Sequence, residues 1–476
     1  MKVLLSGADG YIGRRLKQRL MGKAEVDLRL MVRNLKSLSS HARTTCETVQ
    51  ADVLKPETLD AALEGIDCAY YLIHGLSNAN FRNIDRTGAQ NFIDACVRQN
   101  VRRIIYLGGL GDRISGSEHL ISRIETGEIL SSRPDAVQCL WLRAGVIIGS
   151  GSASFEIIRN LVQKLPVMIT PKWVSTPITP IGVGEVIDYL EAALRVEMPS
   201  NLMVDLGDEA MSYGDLMLRT AAVMGLKRRL IPVNLLTPKL SSYWLSLFTP
   251  VPYSIASSLI EGLKSDVLVT NDLRKRYFHI PPGTLEEAVR IAIGEIESNQ
   301  VFSRWSDSGQ GIWEVDHVND IAEALFVDRR SVSLGEVSDE AVFRSFCAIG
   351  GENGWFGYDW MWSLRGWIDK LVKGAGINRG RRDPSRLRIG DSLDFWKVVD
   401  WVENERLLLF AQMKLPGKAW LEFKIKDGNL IQSAYFYPEG VKGRIYWYLL
   451  LPLHYLIFTN MAKTIVRRAA SGEFIR

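Results

Sequence analysis

Met1-Lys2-Val3-Leu4-Leu5-Ser6, running straight into Gly7-Ala8-Asp9-Gly10-Tyr11-Ile12-Gly13, carries the strongest structural signal in the chain. An apolar run without polar alternation predicts a strand buried on both faces, and the pattern from Arg14 to Leu20 predicts a helix directly after it. Glycine between the two elements permits a tight turn, close packing of helix on strand, and the approach of a pyrophosphate to backbone amides at a helix N-terminus. The spacing is G-x-x-G-x-x-G rather than G-x-G-x-x-G, and a plain strand-turn-helix has the same outline. Context separates the two readings, because a second strand, Asp27 to Val32, stands at the distance a dinucleotide site requires. Gly7, Gly10, Tyr11, Ile12 and Gly13 are therefore expected to bind the cofactor.

The residue after that second strand bears on which cofactor it is. A site for NAD usually presents an acid there to the ribose 2′-hydroxyl, whereas arginine accommodates a 2′-phosphate. Here Arg33 follows the strand, and Glu25 and Asp27 lie at its other end, so NADP is expected ahead of NAD. A third strand, ending near Asp52 and Val53, would bring these two to the adenine edge. Asp52 has an alternative task, capping the turn before Pro56. A fourth strand, Ala69 to His74, delivers Ile73 and His74 to the carboxyl edge of the sheet, where ligands of such folds bind.

Strands and helices alternate through the first part of the chain, with further strands at Arg103 to Leu107, Ala136 to Gly149 and Leu202 to Leu206. That order predicts an α/β, doubly wound parallel sheet of the Rossmann type over residues 1–300, closed by a charged helix from Glu286 to Asn299. Pro166 to Pro180 reads as loop. A Ser/Asp/Gly cluster, Ser303 to Gly311, falls in a linker placed at 301–330. Residues 331–476 read as an α+β domain: two helices, then strands Phe395 to Val402, Leu407 to Lys414, Ala419 to Lys426 and Leu430 to Tyr437 in an antiparallel meander, then a long helix, Gly443 to Ala470, containing Pro452. Strands curling round that helix would enclose either a cavity lined by Trp396, Trp401, Phe410, Trp420 and Tyr435 or a core filled by the same rings.

The chain has 476 residues, 47% apolar and 24% charged, with a formal net charge of +4. The charge is too small for a general nucleic-acid footprint. Five cysteines without a C-x-x-C pair point to neither a metal site nor a disulfide framework, which fits a cytoplasmic protein. Met1 leads directly into the first strand, leaving no room for a cleaved leader. Tyr446 to Phe458 carries no charge but has the length of a buried helix rather than a span. Leu235 to Leu263 is longer and broken by prolines. Both combine Trp and Tyr with nearby Lys and Arg, which keeps peripheral membrane contact open. The arginines around Asp383, among them Arg379, Arg381, Arg382, Arg386 and Arg388, form either a solvated loop paired with Asp383 and Asp391 or a surface for an acidic partner or lipid headgroups.

The first 299 residues resemble the extended and atypical short-chain dehydrogenase/reductases, in particular their NmrA-like NAD(P)-binding branch. The resemblance rests on Gly7, Gly10 and Gly13, on Asp52, and on the strands Ala69-Tyr70-Tyr71-Leu72-Ile73-His74, Arg103-Ile104-Ile105-Tyr106-Leu107-Gly108-Gly109 and Leu142-Arg143-Ala144-Gly145-Val146-Ile147-Ile148-Gly149. It implies a Ser or Thr after the strand leading to the active site and a Tyr-x-x-x-Lys on the next helix. This sequence departs from both. Gly108 and Gly109 end the strand, Ser115 and Ser117 are poor substitutes for the hydroxyl, and the helix position holds His119 and Arg123. Two readings stand for this pair: His119 serves as the acid/base and Arg123 holds the ribose or a substrate anion, or both are solvated helix residues of a protein that binds the cofactor without hydride transfer. From Trp355 to Lys463 the chain looks like an uncharacterised domain fused to such proteins in bacteria, similar in pattern to START-like helix-grip folds, which often hold apolar ligands. The expected function is an NADP-dependent oxidoreductase acting on a small hydrophobic or amphipathic ligand. The alternatives are a non-catalytic NADP(H)-sensing regulator or assembly factor, and a lipid- or quinone-binding protein.

Overall fold

The structure, a computed structural model, describes residues 1–35, 38, 40–75, 81–113, 116–233, 261–262, 266–297, 324–371, 381, 383, 387–413 and 415–473. Ser115, residues 235–260 and 263 of the apolar stretch Leu235 to Leu263, the Ser303 to Gly311 cluster, and Arg379, Arg382 and Arg386 lie outside the described residues. The chain divides in sequence at Gly311/Ile312 into two compact units.

The first unit is built on a parallel sheet of seven strands: β1 (Lys2–Ser6), β2 (Asp27–Val32), β3 (Glu47–Gln50), β4 (Cys68–Tyr71), β5 (Arg103–Gly109), β6 (Gln138–Ala144) and β11 (Leu202–Leu206). Their order is β11-β6-β5-β4-β1-β2-β3. Short strands lie outside it: β7 (Ile147–Ile148) pairs with β10 (Ile181–Gly182), β8 (Val167–Thr170) with β13 (Arg229–Pro232), and β9 (Pro177–Ile178) with β12 (Met211–Ser212). β8 and β9 fall in the stretch expected to be loop. The sheet strands read as continuous apolar runs because both faces are covered. Val3, Leu5, Leu30, Tyr70, Ile105 and Leu140 join the core on one face, and Leu4, Met31, Tyr71, Ile104 and Tyr106 join the core on the other. Helices α1 (Tyr11–Leu20) and α7 (Val183–Ala192) supply Leu16, Leu20, Val186 and Leu190 to the first, while α3 (Leu59–Leu63) and α4 (Phe81–Arg98) supply Leu59, Ala89 and Phe92 to the second. The remaining helices of the unit are α2 (Ser40–Thr45), α5 (Glu118–Leu130), α6 (Ala153–Lys164), α8 (Tyr213–Val223), α9 (Leu273–Tyr277) and α10 (Leu285–Glu297).

Two strands stop short of their expected ends. β3 stops at Gln50, since the Asp52 carboxylate accepts the Leu54 N–H at 3.0 Å and turns the chain. β4 stops at Tyr71, leaving Ile73 and His74 in the loop beyond it. The chain leaves β1 toward β2 and β3 and returns on the other side of β1 at β4, so the crevice at the carboxyl edge opens between β1 and β4.

The second unit is an antiparallel sheet of six strands in the order β14-β19-β18-β17-β16-β15: β14 (Phe326–Ser333), β15 (Ser392–Leu393), β16 (Trp396–Val402), β17 (Arg406–Ala411), β18 (Gly417–Lys426) and β19 (Asn429–Pro438). Three helices complete it: α11 (Asp339–Cys347), α12 (Asp359–Leu371) and α13 (Gly440–Ser471), the last running through Pro452 to an αL cap at Gly472. β14 starts inside the segment expected to be linker. It is an edge strand whose Asp328, Arg329 and Arg330 hide its alternation. Asp427 and Gly428, with φ of 52° and 67°, make the tight hairpin between β18 and β19.

The five rings expected to line one cavity or to fill one core divide between the two sheet faces. Trp396 and Trp401 are five residues apart and would point oppositely in a regular strand, but a bulge between Val398 and Asp400 brings both toward the helix-side core of Phe346, Phe423 and Ile465. Phe410, Trp420 and Tyr435 pack instead with Val399 and Leu408 in a separate cluster.

Candidate functional site

The glycine loop sits where β1 meets α1. Gly7 has φ +70°, and a Cβ there would lie 2.7 Å from the Leu72 carbonyl oxygen. At Gly13 a Cβ would lie 2.0 Å from the Gly7 oxygen. Neither position admits a side chain. Gly10 caps α1 without a side-chain hydrogen bond, and the first turn holds no acid, so the positive end of the helix dipole is uncompensated by carboxylate. Backbone amides at a helix start of this kind are the donors a pyrophosphate needs, while the Gly10 N–H itself donates to the Gly7 carbonyl at 3.0 Å and closes the turn. The Tyr11 ring does a different job: its hydroxyl donates to the Ser150 carbonyl at 3.1 Å, Arg15 lies over it at 5.3 Å, and burial raises its pKa. Only its main chain belongs to the loop. Ile12 packs into the core beside β1.

The other expected cofactor residues lie at the ends of neighbouring strands. Arg33 is exposed immediately after β2. Asp52 spends one oxygen on the Leu54 amide, and Val53 is buried, its methyl lying 2.8 Å from where a Cβ on Gly88 would stand. Ile73 packs against the core of the β4 face. From Arg33 through Gly7 to Ile73 and His74, the expected contacts thus follow the carboxyl edges of β2, β1 and β4 in spatial order.

At the far end of that edge the fold assembles a chain of ionisable groups. Asp85, on α4 and only 5% exposed, accepts from His74 Nδ1 at 2.6 Å, from the Ser122 hydroxyl at 2.9 Å and from the Gly75 N–H at 2.9 Å. His74 Nε2 lies 2.8 Å from His119 Nδ1, and the two rings stack with centroids 4.5 Å apart. Burial pulls the pKa of His74 below its usual value against the pull of Asp85. It pulls His119 well below, helped by His74 and Arg123. Burial alone would raise Asp85, but the bonds from His74, Ser122 and Gly75 hold it below the ordinary carboxylate range. With Asp85 ionised, the network assigns the His74 proton to Nδ1. His74 Nε2 then accepts from His119 Nδ1–H, and His119 Nε2 is left with a lone pair.

His119 lines a cavity of about 190 Å³ together with Arg123, Gly108, Gly109, Val146 and Tyr213. The wall is mostly apolar or glycine, and burial keeps the Tyr213 phenol protonated. Packing excludes a side chain at Gly108 in β5, where a Cβ would lie 2.3 Å from Trp141 Nε1; at Gly109, the last residue of the strand, a Cβ would meet the Leu120 Cδ1 methyl at 3.0 Å, and that methyl would have to give way. Ser117 accepts from the Leu120 N–H as the cap of α5. Arg123 donates through Nη2 to the Leu107 carbonyl at 2.5 Å. Among the described residues no group of His, Cys, Asp and Glu has metal-site geometry.

The structure therefore brings His119, Arg123 and His74 together and adds two residues not singled out from sequence, Asp85 and Ser122. A signal for Asp85 was present. It precedes Gly88, Ala89 and Phe92 by three, four and seven residues, which places an acid on the buried stripe of α4.

Comparison with known proteins bears on the fold and on the cofactor class. Residues 7–133 match a family model described as NAD(P)H-binding, and residues 321–461 match one described as a protein of unknown function, DUF2867. No curated protein matches the sequence. Among solved structures, a nucleoside-diphosphate-sugar epimerase from Staphylococcus aureus is 16% identical with a TM-score of 0.51, covering 61% of this chain and 100% of its own. Triphenylmethane reductase from Citrobacter sp. is 19% identical at 0.52, covering 62% and 100%, and its complex with NADP(H) aligns at 0.51, covering 61% and 100%. At these identities the likeness is one of fold. The first unit is an NAD(P)-binding Rossmann domain with reductases and epimerases as structural neighbours.

Proposed function

We propose that the protein is an NADP(H)-dependent oxidoreductase acting on a small apolar or amphipathic molecule in the cavity beside His119. The observation that carries this reading is the hydrogen-bonded chain Asp85–His74–His119, which ends inside that cavity. A bound nicotinamide supplies or accepts the hydride. The main chain at Gly7, Gly10 and Gly13 holds the pyrophosphate, and Arg33 favours a 2′-phosphate. That preference is supported by the Citrobacter reductase having been crystallised with NADP(H).

The proton is this chain's contribution. In oxidation, His119 Nε2 takes the proton of the substrate hydroxyl. The resulting charge is shared with His74 and balanced by Asp85. In reduction, the protonated pair gives the proton back to the substrate oxygen and returns to the neutral network. Since burial lowers both imidazole pKa values, the neutral form dominates near pH 7, and reduction accelerates as pH falls.

A second reading, a cofactor-binding sensor without turnover, is favoured by one contact: Arg123 spends a guanidinium arm on the Leu107 carbonyl. The test is consumption of NADPH against a panel of quinones and aromatic carbonyls, alongside titration of NADPH and NADH. Turnover that disappears in His119→Phe while NADPH still binds supports the oxidoreductase. Tight NADPH binding with no consumption by the unmodified protein overturns it in favour of the sensor.

A further inference from the structure

The geometry points to a membrane-surface docking site on the second unit, formed by the first half of α13 and the outer face of α12, with an anionic lipid bilayer as its partner. The inference is independent of the catalytic reading. α13 packs by one side only. Gly443 sits so close to β18 that a Cβ would lie 2.3 Å from the Pro416 oxygen, and Trp447 stacks on Phe436 at 5.7 Å. The opposite side presents Val441, Ile445, Tyr448, Leu449, Tyr455 and Leu456, exposed at 72, 55, 62, 71, 65 and 45%, with Tyr448 and Tyr455 touching β14 at the edge of the stripe through Phe326 at 5.5 Å and Arg330 at 5.0 Å. Their spacing of 4, 7, 8, 14 and 15 from Val441 keeps them on one stripe of the helix. The usual amphipathic logic is thus reversed, with apolar side chains turned to solvent.

α12 adds a second exposed apolar face to the same unit: the Arg365 charge acts on the Tyr446 phenol of α13, and the helix exposes Trp360, Leu364, Trp367 and Ile368 at 65, 48, 56 and 42%. Four such residues at i, i+4, i+7 and i+8 form one contiguous stripe. An apolar surface of this size on a soluble unit is a binding surface.

Charge selects the partner. α13 contains Lys442, Arg444, Lys463, Arg467 and Arg468 and neither Asp nor Glu, and no charged residue lies between Arg444 and Lys463. A second copy would bring cationic ends against cationic ends, whereas an anionic bilayer meets both the apolar stripe and its basic flanks. The Trp and Tyr rings suit the level of the headgroups. By length and hydropathy α13 qualifies as a span. Its second half is nevertheless core: Met461, Ala462 and Ile465 are at most 1% exposed. The free part, Val441 to Leu456, is about 24 Å long at 1.5 Å per residue, short of a hydrocarbon thickness of about 30 Å, so it lies along the surface.

The test uses the full chain and sedimentation with vesicles of phosphatidylcholine containing about a third phosphatidylglycerol. The expected result is binding that falls about tenfold in Leu449→Ser/Leu456→Ser, falls again in about 0.5 M salt, and is reversed by alkaline carbonate. An unchanged far-UV circular dichroism spectrum and melting temperature check the fold of each variant, and Lys442→Glu/Arg444→Glu provides a second probe that leaves the apolar stripe intact. The proposal is overturned by failure of the unmodified protein to sediment, by sedimentation of both variants equal to that of the unmodified protein, by carbonate-resistant insertion, or by a dimer in solution that the serine substitutions dissolve.

Discussion

Asp85→Asn preserves volume in a site where volume is constrained, and it removes the charge that orders the whole chain. In the unmodified protein the carboxylate accepts three hydrogen bonds, one of them from His74 Nδ1 at 2.6 Å. An asparagine oxygen can still receive the Gly75 N–H, but the amide then presents N–H groups toward His74. His74 must move its proton to Nε2, and His119 must move its own to the cavity side, which removes the lone pair that acts as base. The protonated pair loses a bond to a charged acceptor, a net effect of about 1.5–3 kcal/mol. At 1.36 kcal/mol per unit this lowers the pKa of the pair by about one to two units. The proton-loaded fraction near neutral pH then falls about ten- to a hundredfold, and the rate of reduction falls with it. Nitrogen-15 spectra of the imidazoles read the shift without any substrate, and steady-state NADPH consumption reads the rate. NADPH affinity stays the same, because Asp85 does not touch the glycine loop. Unmoved His74 and His119 titrations in Asp85→Asn would refute the relay.

Arg33→Ala is expected to cost NADPH about fivefold in affinity and NADH nothing, since an exposed guanidinium contributes about 1 kcal/mol to a phosphate; calorimetric titration of both cofactors measures it. Gly13→Ala drives a Cβ into the Gly7 carbonyl and is expected to abolish cofactor binding while lowering the melting temperature, both readable by thermal shift with and without NADPH. The folded-state pKa values of His74 and His119 lie below the unfolded value of 6.5, so their neutral burial contributes stability above that pH and loses it as pH falls toward the folded values. Denaturant titrations between pH 7 and about 5 should show stability declining in the unmodified protein and a shallower decline in His119→Phe.

The dinucleotide loop, the parallel order of the first strands and the hairpin at Asp427-Gly428 were legible in sequence because each is set locally. Bare glycines, unbroken apolar runs and a left-handed turn need no distant partner to be recognised. His119 was legible as the residue standing where a tyrosine was expected, whereas Asp85 was not singled out, although it stands as an acid on an apolar helix face. What only the tertiary structure decided was their meeting. His74 and His119 are 45 residues apart, and it is the adjacency of β4 and β5 that brings the loop after one to the helix after the other. The bulge in β16 likewise settled which face receives Trp401, since a period of two cannot foresee an extra residue. The exposed stripe of α13 follows the same rule: sequence shows an apolar helix, and whether such a helix is covered depends on the surface its neighbours leave bare.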